Sequence, residues 1–185
     1  MFIQTEETPN PQTLKFLPEK PVLDSASGVR SLEFKKNQDA SSCPLAKRLL
    51  LVEGIEGVFL SADYLSITKR EDFDWYLLKP SVLGLLMEHF VNGLPIYNGN
   101  AVAQHDESDP IVKQIREIID TRVRPSVAMD GGDITFESFE DGIVYLKLQG
   151  ACSGCPSSSA TLKSGIENML KYYVPEVQEV RQYGE

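Results

Sequence analysis

The sequence predicts an α+β protein: two small α+β domains joined by a flexible linker. Three observations predict it. Short strand-like runs mix with runs at helical spacing in both halves of the chain. A polar stretch without periodicity, Asn98 to Ser108 (NGNAVAQHDES), lies between those halves. The length, 185 residues with 42% apolar content, suits one ordinary core or two small ones. The expected division is residues 1–97, a linker at 98–108, and residues 109–185. As a flexible coil the linker would hold its ends on the order of 20 Å apart, enough for two domains to reorient.

Met1 to Thr8 contains a short alternating apolar segment, broken by Pro9-Asn10-Pro11. Thr13 to Leu17 reads as a strand with Leu14 and Phe16 on one face. Pro18 and Pro21 interrupt the chain, and Ser31 to Phe34 is a third short strand. Cys43-Pro44 opens a helix in which Leu45, Leu49 and Val52 share a face, with Gly54 as its stop. Val58 to Leu60 and Leu65 to Ile67 form a hairpin through Asp63-Tyr64. Trp75 to Asn92 reads as a helix with Val82, Leu85, Leu86 and Phe90 on one face and Gly93 at its end. Pro80 either starts the main part of that helix or kinks it. This half shows no metal-ligand spacing and no catalytic signature.

Asp109-Pro110 starts a helix, with a capping acid and then proline at the first helical position. Ile111, Ile115, Ile118 and Ile119 are its apolar stripe, and it should stop before Pro125. Asp130 to Asp133 reads as a turn. Ile134 to Phe139 and Ile143 to Leu148 are strands joined by Asp141-Gly142, a strong hairpin signal. A loop, Gly150-Ala151-Cys152-Ser153-Gly154-Cys155-Pro156, leads into a helix from Ser157 to Tyr173. Val177 to Arg181 is the last strand. The second half is therefore helix, hairpin, CxxC loop, helix, strand.

The formal net charge of −9 argues against nucleic acid or an anionic membrane as partner. No apolar run approaches a membrane span. Met1 to Asn10 has no basic region followed by an apolar one, so no secretory signal is expected. Three cysteines fit poorly with a secreted disulfide framework and point to a reducing compartment.

The chemistry concentrates at Cys152 and Cys155. Gly150 and Gly154 permit unusual backbone angles and close approach of a bulky ligand. Cys155 sits at the expected cap of the following helix, where unpaired N–H groups and the macrodipole favour thiolate over thiol. Ser157, Ser158 and Ser159 add potential donors to sulfur. Four readings compete. Two inert buried cysteines fit poorly with so polar a loop. A redox-active dithiol fits the strand–CxxC–helix order, but a hairpin precedes the motif, rather than the βαβ unit of thioredoxin-like proteins, and no aromatic residue flanks Cys152. A zinc-bridged interaction module needs four ligands, and only His89, His105 and Cys43 stand beside the pair, none at zinc-finger spacing. An iron–sulfur cluster also wants four thiolates, which two chains related by a twofold axis would supply. Spacing alone does not choose between the last reading and the redox one.

The segment MDGGDITF, followed by IVYLKLQGACSGCPSSSATLKSGIENML, resembles the C-terminal domain of NifU, the Nfu-type iron–sulfur cluster carriers, over roughly Asp109 to Arg181. The first half, from FIQTEETPNPQTLKF to Ile96-Tyr97, is similar to the N-terminal domain that accompanies it in two-domain Nfu proteins. The resemblance implies a homodimer that binds a [4Fe-4S] cluster between its protomers, with Cys152 and Cys155 as cofactor and metal ligands. A [2Fe-2S] cluster would use the same four thiolates. It also implies an upstream scaffold as donor, apo iron–sulfur proteins as recipients, and no catalysis of the chain's own. The scaffold and ferredoxin-like modules of full-length NifU are missing, which implies a late carrier. Cys43 is expected to be a small buried apolar residue and no ligand. Met1 directly before the first domain fits a bacterial cytoplasm; a mature eukaryotic form would work in the mitochondrial matrix.

Overall fold

Strand β2 (Thr13–Pro18) shows how the first half is built. Successive side chains on a strand point to opposite faces. Phe16 enters the main core, while Lys15 lies on the other face, over the Tyr64 ring at 4.7 Å. β2 pairs antiparallel with β1 (Ile3–Glu7) on one side and with β5 (Leu65–Lys69) on the other. β4 (Ile55–Leu60) and β3 (Leu32–Lys35) complete a five-stranded sheet in the order β1-β2-β5-β4-β3. The expected hairpin is β4–β5, closed by Ser61 N–H donating to the Tyr64 carbonyl.

Helices α1 (Pro44–Leu50) and α2 (Trp75–Val91) share the core with one face of this sheet. Leu45, Leu49, Val58, Ile67, Val82 and Leu86 are buried there. Asp74 caps α2 by accepting from Tyr76 N–H. The helix runs through Pro80 without breaking. Gly54 has φ +89 and lies against the Phe73 ring, so both its angle and its lack of a side chain are needed for α1 to turn into β4.

The computed structural model describes residues 1–24, 28–99, 109–153 and 156–183, with residues 156–159 as backbone only. The chain divides into two units, Met1–Ala103 and Gln104–Glu185. Most of the stretch expected to link the halves, including His105, lies outside the described residues, as does Cys155.

The second unit holds a three-stranded sheet, β6 (Gly132–Glu140), β7 (Ile143–Gly150) and β8 (Glu179–Gln182), in that order. Asp141 and Gly142 have φ of 50 and 81°, the left-handed pair that matches strand twist in a tight hairpin. Helices α3 (Pro110–Ile118), α4 (Arg124–Met129) and α5 (Pro156–Tyr173) accompany the sheet.

One expectation is corrected here. The first helical segment does not stop before Pro125. A π-turn, Ile119–Val123, joins α3 to α4, and the path continues to Met129. The widened turn shifts the hydrogen-bond register, so Pro125 falls in a new first turn, where a missing N–H costs nothing. Thr121 Oγ1 donates to the Glu117 carbonyl at 2.7 Å within the same stretch. The pairing of β8 is a further finding. The strand pairs parallel with β7, so β7, α5 and β8 form a βαβ crossover after the hairpin. Apolar alternation marks a strand but not its pairing direction, and a connection that contains a helix is long enough for a parallel return. Among the described residues, no helix is long and apolar enough to cross a membrane.

Candidate functional site

Both strands of the β6–β7 hairpin run further toward the cysteine loop than alternation alone suggests. Their last register pair at that end is Gly132 opposite Gly150. The expected turn therefore narrows to Asp130 and Gly131, with Gly131 at φ +77, while Gly132 and Asp133 already belong to β6.

This pairing makes room for Cys152. A Cβ on Gly132 would lie 2.6 Å from Cys152 Sγ and 2.9 Å from the Gln149 carbonyl oxygen. Only glycine fits at that spot without displacing the loop. Gly150 takes φ +67, which turns the chain out of β7. Ala151 N–H then donates to the Gly131 carbonyl at 3.2 Å, and Ser153 N–H to the Gly150 carbonyl at 3.0 Å. Cys152 is left 6% exposed, at the margin of a core that includes Ile134, Leu146 and Ile166. The backbone enters α5 at Pro156, as expected.

A buried ion pair anchors the floor of the loop. Arg124 grips Asp133 in a fork, Nε to Oδ1 and Nη2 to Oδ2, each at 2.8 Å. Its Nη1 reaches Asp120 Oδ1 at 3.3 Å. Asp133 is 4% exposed and also accepts from Ile134 N–H at 2.8 Å. The hydrogen bond to Asp133 pushes the Arg124 guanidinium above its already high ordinary pKa, with Asp120 adding to it. Asp133 follows Gly132 directly, so the pair ties the start of β6 to α4 and fixes where Gly132 meets Cys152. Sequence reading missed this pair. The one available signal was an aspartate placed between a glycine pair and an apolar strand.

The other candidates lie elsewhere. Cys43 is completely buried in the core of the first unit, at the N-terminal end of α1. Burial pushes its thiol up to about 11, although the Ala46 and Leu45 N–H groups pull the other way. His89 is also fully buried, on α2, with Nδ1 3.5 Å from Arg48 Nη1. Desolvation and the Arg48 charge lower its pKa, against the pull of the Pro95 and Leu94 carbonyls and Glu88. It is a neutral core histidine bounded by the Arg48–Glu88 pair, which closes at 2.8 Å. Among the described residues, no three of His, Cys, Asp and Glu gather where they could hold a metal ion.

Comparison with known proteins agrees with this layout. Residues 115–181 match the family model described as NifU-like domain, and residues 3–93 the one described as scaffold protein Nfu/NifU N terminal. The chain is 48% identical over 186 aligned residues to the human protein named NFU1 iron-sulfur cluster scaffold homolog, mitochondrial, covering 98% of this chain and 72% of that one. The chain belongs to the NifU/Nfu family. A relative of the same name from Drosophila sechellia is also 48% identical, and this Nfu-type chain spans 65% of its length. A solution structure of a NifU-like protein from Saccharomyces cerevisiae is 29% identical, covers 54% of this chain and 86% of its own, and superposes with a TM-score of 0.47. The glycine pair, the hairpin and the GxCxxCP loop all fall inside the NifU-like match.

Proposed function

We propose that this chain is an iron–sulfur cluster carrier. It takes up a [4Fe-4S] cluster as cargo, holds it between two protomers through Cys152 and Cys155 of each, and hands it to apo-proteins. One observation carries the reading: in a chain of this family, Cys152 sits on a glycine-cleared loop at the margin of the core, directly before the N-terminal end of α5. The unpaired N–H groups and positive dipole end of such a helix favour a metal–thiolate centre. One CxxC supplies half of four thiolates, and a twofold axis supplies the rest. A [2Fe-2S] cluster is the alternative cargo for the same ligands.

Hand-over is ligand exchange with no net oxidation. A thiolate of the recipient bonds to an iron as the bond from that iron to Cys152 or Cys155 breaks. The departing thiolate takes a proton from solvent, and the cluster keeps its electrons. The chain performs no catalysis of its own; an upstream scaffold is the donor. The mitochondrial names of the relatives support the mitochondrial matrix as the compartment, beside a bacterial cytoplasm.

The test is transfer. Anaerobically loaded chain, mixed with an apo-[4Fe-4S] protein and an iron chelator, should restore the recipient's cluster absorbance. Cys152→Ala should not. A loaded chain that keeps its cluster beside excess apo-protein would make the cluster a resident cofactor and end the carrier reading.

The β7–α5–β8 crossover favours a second reading. A CxxC loop opening a βαβ unit is also the setting of a dithiol oxidoreductase. That protein would be colourless after anaerobic purification and would reduce disulfides. The zinc-bridged module would bind zinc tightly and no sulfide.

A further inference from the structure

The open edge of β8 already holds one carboxylate. β8 is the last strand of its sheet and pairs only with β7. Glu179 N–H and Tyr183 N–H donate to the Gly142 and Leu146 carbonyls. Backbone groups alternate in direction along a strand, so the N–H groups of Val180 and Gln182 face the open edge. Val180 N–H donates to Glu167 Oε2 at 3.1 Å, and Lys171 Nζ donates to Glu167 Oε1 at 2.6 Å. The Glu167 carboxylate is thus held between an edge N–H and a lysine.

One step along both elements the same arrangement recurs without a carboxylate. As the crossover between parallel strands, α5 runs antiparallel to β8. Four residues of helix rise about 6 Å and two residues of strand about 6.6 Å. Lys163 stands one turn before Glu167, and Gln182 two residues after Val180, so the two steps keep pace. Lys163 and Gln182 line one cavity, and both are half-buried there. Among the described residues Lys163 closes no ion pair, since Glu167 is taken by Lys171 and Glu179 by Arg181. No side chain among them accepts from Gln182 N–H as Glu167 does from Val180 N–H.

The cavity itself is apolar. Its volume is about 210 Å³. Ile134, Leu146, Ile166 and Val180 line it, each at most 4% exposed. A cavity of about 150 Å³ with such walls takes benzene, so this one has room for an unbranched chain of about six to eight carbons. A cation and an edge N–H stand beside an apolar hole, and the combination calls for a negative head on an apolar tail.

We propose that this cavity binds an aliphatic monocarboxylate, a free fatty acid of medium chain length. The chain lies among the four buried apolar side chains. The carboxylate accepts from Gln182 N–H and pairs with Lys163 Nζ, as the Glu167 carboxylate does with Val180 N–H and Lys171. The C-terminus of a peptide carries a similar head, but a peptide would add as a strand along β8, and Glu167 already closes that edge at Val180. The inference does not rest on the cluster reading, and its test leaves that reading untouched.

The test titrates the cluster-free full chain, kept reduced, with straight-chain carboxylates of about four to ten carbons and follows the backbone amides by NMR. The Gln182 amide proton should move downfield, with a Kd for octanoate of about 0.1–1 mM. Affinity should rise about fourfold per methylene and level off near eight carbons, once the cavity is full. Octanol should bind at least about tenfold more weakly than octanoate, and Lys163→Glu should weaken octanoate by a similar factor. Lys163→Arg should keep the affinity, and neither variant should change the melting temperature. A Gln182 amide that does not move at roughly 10 mM octanoate would overturn the proposal. So would octanol binding as tightly as octanoate, or an affinity indifferent to chain length or to Lys163→Glu. N-Acetylleucine binding more tightly than hexanoate would overturn the fatty acid in favour of a peptide C-terminus.

Discussion

The chain writes Cys-Pro-helix twice, in two different settings. Cys43 precedes α1, which begins at Pro44, and α5 begins at Pro156, which Cys155 precedes in the sequence, with Cys152 three residues before that. At Cys43 the helix is seven residues long and the thiol is sealed in the core of the first unit. Desolvation there outweighs the N–H groups of Ala46 and Leu45, so the thiol stays protonated to about pH 11. Cys152 is also buried, 6% exposed within the core of the second unit, but it lies against a position that only glycine can fill. The lesson is that a helix N-terminus does not by itself make a thiolate. At Cys43 burial outweighs the helix end.

Three perturbations break or sharpen that contrast. The largest expected effect comes from Asp133→Ala. It takes away the forked partner of the part-buried Arg124 guanidinium and leaves it Asp120 alone, which should cost the second unit about 2–4 kcal/mol in denaturant unfolding. Unfolding of the first unit should not change. Should the second unit lose less than about 1 kcal/mol, the pair does not anchor the loop floor.

The next effect is one of pH. An unfolded Cys43 thiol ionises near 9.0, the folded one near 11. Between those values the native state binds the extra proton, so stability falls as pH rises. Below pH 9 the contribution is fully present, and by pH 11 about 2–3 kcal/mol is lost. Cys43→Ala should lose that much less stability over the same window. Parallel pH profiles for the two proteins would mean that Cys43 is not sealed.

The smallest effect sits at the glycine floor. Gly132→Ala should cost about 2 kcal/mol by overpacking against Cys152 and the Gln149 carbonyl. In the Cys152→Ala background part of that cost should disappear, because one of the two clashes is with Sγ. Strict additivity of the two changes would remove Cys152 from contact with Gly132.

Much of this was readable in the sequence. Strand alternation placed β2, and Asp141-Gly142 placed the β6–β7 turn, because both are local signals. The family resemblance pointed at Cys152 and Cys155. What escaped was non-local. The parallel pairing of β8 depends on how α5 crosses the sheet. The π-turn depends on a register shift that no residue type announces, so Pro125 read as a stop. The Arg124–Asp133 fork joins residues that read separately as a helix end and a turn.

The most direct test of the contrast between the two Cys-Pro helices is cluster loading. Iron and acid-labile sulfide are measured per chain after anaerobic reconstitution, with particle mass on the same sample, for wild type, Cys43→Ala and Cys152→Ala. The account predicts about two irons and two sulfides per chain in a dimer for wild type and Cys43→Ala, and near-zero retention for Cys152→Ala. Retention in Cys152→Ala, or its loss in Cys43→Ala, would contradict it.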